Sequence, residues 1–194
     1  MDPESVHAMI DLETLGQGPG AAILSAGIVL FRPSEMIVSP ASARTFKVRV
    51  DLYSCLDAGL KIDPATVSWW MLQSDAARHD AFGPGEDRVN LRTACEMIAE
   101  FLKTDTPDAD SYDGPIWCHG ASFDIPVLSF AMRLVQVNEP WNFRKVRDTR
   151  TVFDLCDVEY SGTHHEPAAD ALEQALVVSR CIVSLSHLAS GMKK

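Results

Sequence analysis

Four carboxylates and one imidazole, drawn from three separate stretches of this 194-residue chain, have the types and spacing to do chemistry together: Asp11 with Glu13, then Asp124, then His165 with Asp170. Asp11 and Glu13 stand two residues apart on an extended segment, which points both side chains to one face. They interrupt the apolar run Ala8-Met9-Ile10 and are followed by a chain reversal, Thr14-Leu15-Gly16. Acids beside a core are costly unless something neutralises them. Spacing alone does not single them out, because Asp157-Val158-Glu159 repeats it, and acids solvated at a strand end are the plain alternative. Asp124 follows apolar Ile116-Trp117-Cys118 and precedes Pro126, which suits the first turn of a helix. The helix dipole favours a carboxylate there, so capping also accounts for it. The same place is the C-terminal edge of a strand, where α/β sites open. His165 and Asp170 fall on the first turns of a last helix, with Pro167 as an early helical residue. A polar surface histidine is the alternative for His165, and His164 beside it is easily mistaken for it.

Oxygen ligands of this kind suit Mg²⁺ or Mn²⁺ rather than zinc. Two such ions about 4 Å apart can activate a water on one side of a phosphodiester and stabilise the leaving oxygen on the other. An imidazole, which titrates near neutrality, is suited to take the proton from that water.

The elements that must position these groups follow from periodicity. Ala8 to Ile10, Ala21 to Phe31 and Thr45 to Val50 read as strands, with turns over Gly16 to Gly20 and Pro33 to Pro40. Short links between them predict an antiparallel meander. A helical pattern runs from Pro64 to Phe82, with Val67, Trp70 and Met71 on one face. A second runs from Asp87 to Lys103, striped by Leu91, Ala94, Cys95, Ile98, Ala99 and Leu102. A polar, acidic loop over Thr104 to Asp113 leads to a buried strand, Pro115 to Cys118. Helices are predicted over Asp124 to Val135, Thr149 to Val158 and Pro167 to Leu188. The chain is expected to be one α/β domain, 1–194 with its core at about 8–188, in which helices flank a mixed central sheet.

Hydrophobic content of 46% and a mean hydropathy near zero exclude a disordered chain. No apolar run approaches the roughly 20 residues of a bilayer span. The acidic N-terminus lacks the regions of a signal peptide, so the expected location is the cytoplasm. Five irregularly spaced cysteines are expected to be reduced and packed. A net charge of −10 argues against a long basic nucleic-acid surface. It leaves room for a grip on one strand end through bound cations.

Adjacent Trp69 and Trp70 point about 100° apart on a helix. The i+3 spacing assigns Trp70 to the core and leaves Trp69 to stack on a base, or to pack at an interface. Arg144, Lys145, Arg147 and Arg150 form the densest basic stretch, placed to hold phosphates or simply to be solvated.

Three ordered motifs, Asp11-x-Glu13-Thr14, His119-Gly120-Ala121-Ser122-Phe123-Asp124 and His165-x-x-x-x-Asp170-Ala171, together resemble the exonuclease motifs of the DEDDh group, the RNase T-like branch of the ribonuclease H-like fold. The resemblance covers about residues 8 to 185. A narrower likeness, in Met9 to Gly16, Ser68-Trp69-Trp70, Gln73 to Arg78 and Gly120 to Asp124, is to small phage and mycobacterial 3′-5′ exoribonucleases. It implies a nuclease releasing 5′-mononucleotides from a free 3′ end of a single strand or of a duplex with a 3′ overhang, RNA slightly favoured. Asp11, Glu13, Asp124 and Asp170 would hold two Mg²⁺ or Mn²⁺ ions, and His165 would be the general base. Thr14 and Leu15 match positions that touch the terminal nucleotide and wedge against its base. Members of this type are often homodimers, which makes Trp141 to Phe143 a candidate contact. The sequence departs from the pattern at His119, where Asn is common, and at Glu166-Pro167, where small residues are usual; Pro167 is placed to stiffen the His165 segment. The alternatives are a phage-type exodeoxyribonuclease, an inactive nucleic-acid-binding relative, and a phosphatase for small nucleotides.

Overall fold

Strand β1, His7–Thr14, is flanked by strands on both sides and covered on both faces, which is why it is buried almost throughout although half of its residues are polar. The computed structural model describes residues 1–85, 87–104, 111–160, 162 and 165–191. β1 pairs antiparallel with β2, Ile23–Phe31, and β2 pairs antiparallel with β3, Arg44–Val50, the predicted meander. On its other side β1 pairs in parallel with β5, Ile116–Cys118. Two further strands complete a six-stranded mixed sheet: β4, Arg88–Val89, parallel to β3, and β6, Val146–Asp148, parallel to β5.

Alternate residues of the central strands feed two cores. Ala8, Ile10 and Leu12 of β1, with Leu24, Ala26 and Ile28 of β2, join the larger cluster. That cluster is closed by helices α5, Leu91–Lys103, and α6, Asp124–Leu134. Met9, Val29, Phe31 and Trp117 face the other way. They pack against α7, Thr149–Leu155, and the long α8, Pro167–Gly191. By the same alternation Asp11 and Glu13 continue the Met9 face. The acids therefore begin where the second core ends, under the start of α8.

The close approach of α8 depends on one glycine. Gly27 of β2 lies directly opposite Asp11. A Cβ there would stand 2.1 Å from the carbonyl carbon of Pro167 and 2.3 Å from the nitrogen of Ala168, both backbone atoms that cannot turn aside. Gly27→Ala is expected to lift the first turn of α8 and to cost about 2 kcal/mol, as overpacking does. Calorimetry should show this as a Tm lowered by roughly 6 °C. An unchanged Tm would mean that the helix seats without needing that gap.

Several local elements differ from expectation. The span Pro64 to Phe82 is two helices, α3, Pro64–Trp70, and α4, Asp75–Phe82. Ser74 caps the second by accepting a hydrogen bond from the Ala77 amide at 3.2 Å. Met71 lies beyond the end of α3 and is exposed, Val67 within α3 is exposed as well, and only Trp70 of the predicted stripe is buried. The segment from Asp87 starts as β4, and α5 begins after an Asn90 cap. Its stripe is buried as read, apart from partly buried Ala99. The Pro33 to Pro40 turn contains a short helix, α1, Pro33–Met36, and helix α2, Leu52–Asp57, was not anticipated. The Thr104 to Asp113 loop falls mostly, and His164 wholly, outside the described residues. All five cysteines are free, and burial pushes the Cys95 thiol up to about 12. No helix among the described residues is long and apolar enough to cross a membrane.

Candidate active site

Parallel strands end on the same side, so the exits of β1 and β5 open together. After β5 the chain turns at Gly120, whose φ of +112° is a left-handed conformation that suits glycine. It then enters α6 with Asp124 as the first helical residue. Phe123 occupies the capping position without a side-chain bond, and Asp124 Oδ1 instead accepts from the Leu12 amide on β1 at 3.1 Å. That bond carries Asp124 to the strand bearing the other two acids, which capping alone does not explain. Asp157 and Glu159, the other pair with this spacing, are exposed.

From the opposite face α8 brings Asp170. Ligand oxygens of Asp11, Glu13 and Asp170 all lie within 4.8 Å of one another. Glu13, Asp124 and Asp170 are buried, and Asp11 is partly buried. Burial, augmented by the Asp170 charge, pushes Asp11 up to about 7, against a hydrogen bond from Gln174 that favours its ionised form. Burial and then the charges of Asp11, Asp170 and Asp124 push Glu13 up to about 9. Asp124 is held well above the usual carboxylate range, by burial first and Asp11 second. Among the described residues no lysine or arginine comes within ion-pair distance of Asp11, Glu13 or Asp124. Among the same described residues, the basic side chain within that distance is the imidazole of His165, whose Nδ1 is 3.8 Å from Glu13 Oε1. Converging oxygens of this kind, with no lysine or arginine among the described residues paired to Asp11, Glu13 or Asp124, are the donor set a hard divalent cation requires.

His165 sits at the rim, its ring edge-on to Trp69 and Trp70 with centroids 4.9 Å and 5.8 Å away. Trp70 is 1% exposed and donates from Nε1 to the Thr14 carbonyl at 3.0 Å, while Trp69 is 43% exposed. Trp69 also lines a cavity of about 270 Å³ together with Leu12, Glu13, Thr14, Gly16, Gln17 and Phe123. Asp11, Glu13, Asp124, Asp170, His165, Thr14 and Trp69 are therefore gathered at one place.

These elements are the frame of a known family. The sequence matches the 3′-5′ exoribonuclease Rv2179c-like domain over residues 6–182. The chain belongs to that family. An exodeoxyribonuclease of Enterobacteria phage T4 is 29% identical over 159 residues, covering 74% of this chain and 68% of the phage protein. Among solved structures, the nuclease domain of 3′hExo, a DEDDh family member bound to rAMP, is similar with a TM-score of 0.57 at 15% identity, covering 92% of both chains. Cell-death related nuclease 4 is similar with a TM-score of 0.55 at 13% identity, covering 94% of this chain and 65% of that one. At such identities these two report the fold, which is the ribonuclease H-like fold expected from the motifs.

In this exonuclease-family chain some residues stand elsewhere than expected. Leu15 is only 2% exposed and belongs to the main core, so its side chain does not line the cavity. The pairing of β1 with β2 shifts between Glu13 and Thr14, and that irregularity ends the alternation on which its orientation depends. In the basic stretch, Lys145 pairs with Asp113 at 3.2 Å and Arg147 donates to the carbonyls of Arg144 and Val146. Arg150 alone lies against the turn leading to Asp124, its guanidinium 3.1 Å from where a Cβ on Gly120 would be. His119 bonds through Nδ1 with Thr149 Oγ1 at 2.7 Å and packs on Phe153 and Tyr160. Trp141 is buried, so of the two aromatic side chains in the segment Phe143 projects.

Gln174 was not anticipated. It is buried on α8 and donates from Nε2 to Asp11 Oδ1 at 3.1 Å. Its signal was present in the spacing, four residues after Asp170 on the same helical face.

Proposed function

We propose that this chain is a divalent-metal-dependent exonuclease that removes 5′-mononucleotides from a free 3′ end, with RNA slightly favoured over DNA as substrate. The convergence of Asp11, Glu13 and Asp170 oxygens within 4.8 Å, in burial and without a lysine or arginine at Asp11 or Glu13 among the described residues, carries this reading. Asp11, Glu13, Asp124 and Asp170 would hold two ions, Mg²⁺ or Mn²⁺. Bound there, the ions supply the positive charge that polarises a phosphodiester and activates water.

The chain's own residues do the rest. His165 accepts the proton of the attacking water, and Glu13 Oε1, 3.8 Å from Nδ1, stabilises the imidazolium that results. The terminal base stacks on Trp69, the exposed member of the tryptophan pair. The cavity beside it shares Gly16 and Gln17 with a groove of about 480 Å³ that also includes Lys61 and Phe130, a path for the nucleotides that precede the end. Arg150, whose guanidinium lies beside Gly120, would meet a backbone phosphate.

A second reading, the same chemistry on DNA, is favoured by the 29% identity to the phage exodeoxyribonuclease. One time course tests both, using 5′-labelled single-stranded RNA and its DNA equivalent with Mn²⁺, Mg²⁺ or EDTA. Shortening from the 3′ end only with metal is the expected result, and the RNA-to-DNA rate ratio separates the readings. An intact band in every lane, with binding retained, would leave a nucleic-acid-binding relative without catalysis.

A further inference from the structure

We propose that Lys47, on β3 and outside the carboxylate cluster, is a positioning residue that holds His165 in place through Glu166; the inference rests on the reading of His165 as the proton acceptor. His165 has φ +55°, a left-handed conformation that few residues with a Cβ adopt, histidine more readily than most. Its ring is flanked by Trp69 and Trp70. The neighbouring residue is anchored through both its side chain and its backbone. Glu166 Oε2 accepts from the Ala169 amide at 2.6 Å and its carbonyl accepts from the Asp170 amide at 2.9 Å, which ties Glu166 to the first turn of α8. Its remaining carboxylate oxygen, Oε1, lies 2.5 Å from Lys47 Nζ.

The same ammonium is 2.5 Å from Asp80 Oδ1 on α4. One lysine thus joins a strand of the sheet, the helix that follows the tryptophan pair, and the segment carrying His165. An isolated exposed ion pair contributes little. Here two carboxylates share one cation on the side toward the acidic cluster, so loss of Lys47 leaves Asp80 and Glu166 repelling each other and the Glu166 side chain free of the sheet. His165 can then relax out of its left-handed conformation, which moves its ring from Glu13. Displacements of about 1 Å can lower a catalysed rate by up to 10²-fold.

The test compares Lys47→Met, Lys47→Arg and the near-isosteric Glu166→Gln, with Lys47→Met also made in a His165→Ala background, measuring kcat, KM and Tm on the faster of the two labelled oligonucleotides with Mn²⁺. Lys47→Met and Glu166→Gln should each lower kcat by roughly tenfold with KM nearly unchanged, and Lys47→Arg should recover most of it. In the His165→Ala background Lys47→Met should produce no further loss, a result a merely structural role would not give. Equal losses in both backgrounds would overturn the proposal, as would wild-type kcat in Glu166→Gln. If Lys47→Met fails to fold, Glu166→Gln decides alone. Full activity in His165→Ala by itself would instead remove the premise, and is seen without any change at Lys47.

Discussion

Asp11→Asn is expected to lower hydrolysis by about 10³-fold or more, because a lost metal ligand withdraws several kcal/mol of transition-state stabilisation. The same substitution should leave the metal-free protein at least as stable as the wild type. Asp11, Glu13 and Asp170 crowd their oxygens within 4.8 Å, and burial already pushes Asp11 up to about 7. An amide keeps the shape and can still accept the Gln174 hydrogen bond at 3.1 Å, while removing a charge that the fold must otherwise desolvate. A Tm measured in EDTA at pH 8 should therefore rise by a few degrees while activity disappears. Retained hydrolysis in the variant would remove Asp11 from the metal site. A collapsed Tm would mean that Asp11 holds the fold rather than a cation.

The second large effect links metal to pH. Folded-state values near 7 for Asp11 and near 9 for Glu13 lie above the ordinary 3.8 and 4.5, so between pH 4 and 9 the native state binds more protons than the unfolded chain. Their contribution is fully present below about pH 4 and is lost as pH rises through 7 and then 9. Metal-free protein should accordingly melt at progressively lower temperature from pH 5 to pH 9. Divalent cations bind the ionised carboxylates, so the stabilisation they add should be small at pH 5 and largest at pH 8 to 9. At 100 times the dissociation constant it amounts to about 2.7 kcal/mol, or a Tm higher by roughly 5–10 °C. A metal-induced shift equal at pH 5 and pH 8 would show that these carboxylates are not the ligands.

Much of this site follows from local sequence. The alternation Ala8-Met9-Ile10-Asp11-Leu12-Glu13 makes β1 a strand with both acids on one side, and Gly120 followed by Asp124 marks a strand exit turning into a helix. The 3.6-residue stripe of α5 is buried as its spacing requires, and Trp70 goes inward while Trp69 faces out. Side-chain period and helix-start chemistry are properties of neighbouring residues, so no partner is needed to read them.

What depended on the tertiary structure involves residues distant along the chain. Strands β4 and β6 are two and three residues long and carry charge, and only the ladders beside β3 and β5 make them strands. Gly27 shows its purpose only against the backbone of Pro167, Leu15 turns inward only past the irregular pairing at Glu13 and Thr14, and Lys47 finds Asp80 and Glu166 from three separate elements. The sequence by itself determined which residues are acids, which faces are apolar and in what order the motifs run. Only the packing of α8 across β1 and β2 decided how close the carboxylates come and that His165 lies 3.8 Å from Glu13, because register and close approach arise between segments that carry no local mark of each other.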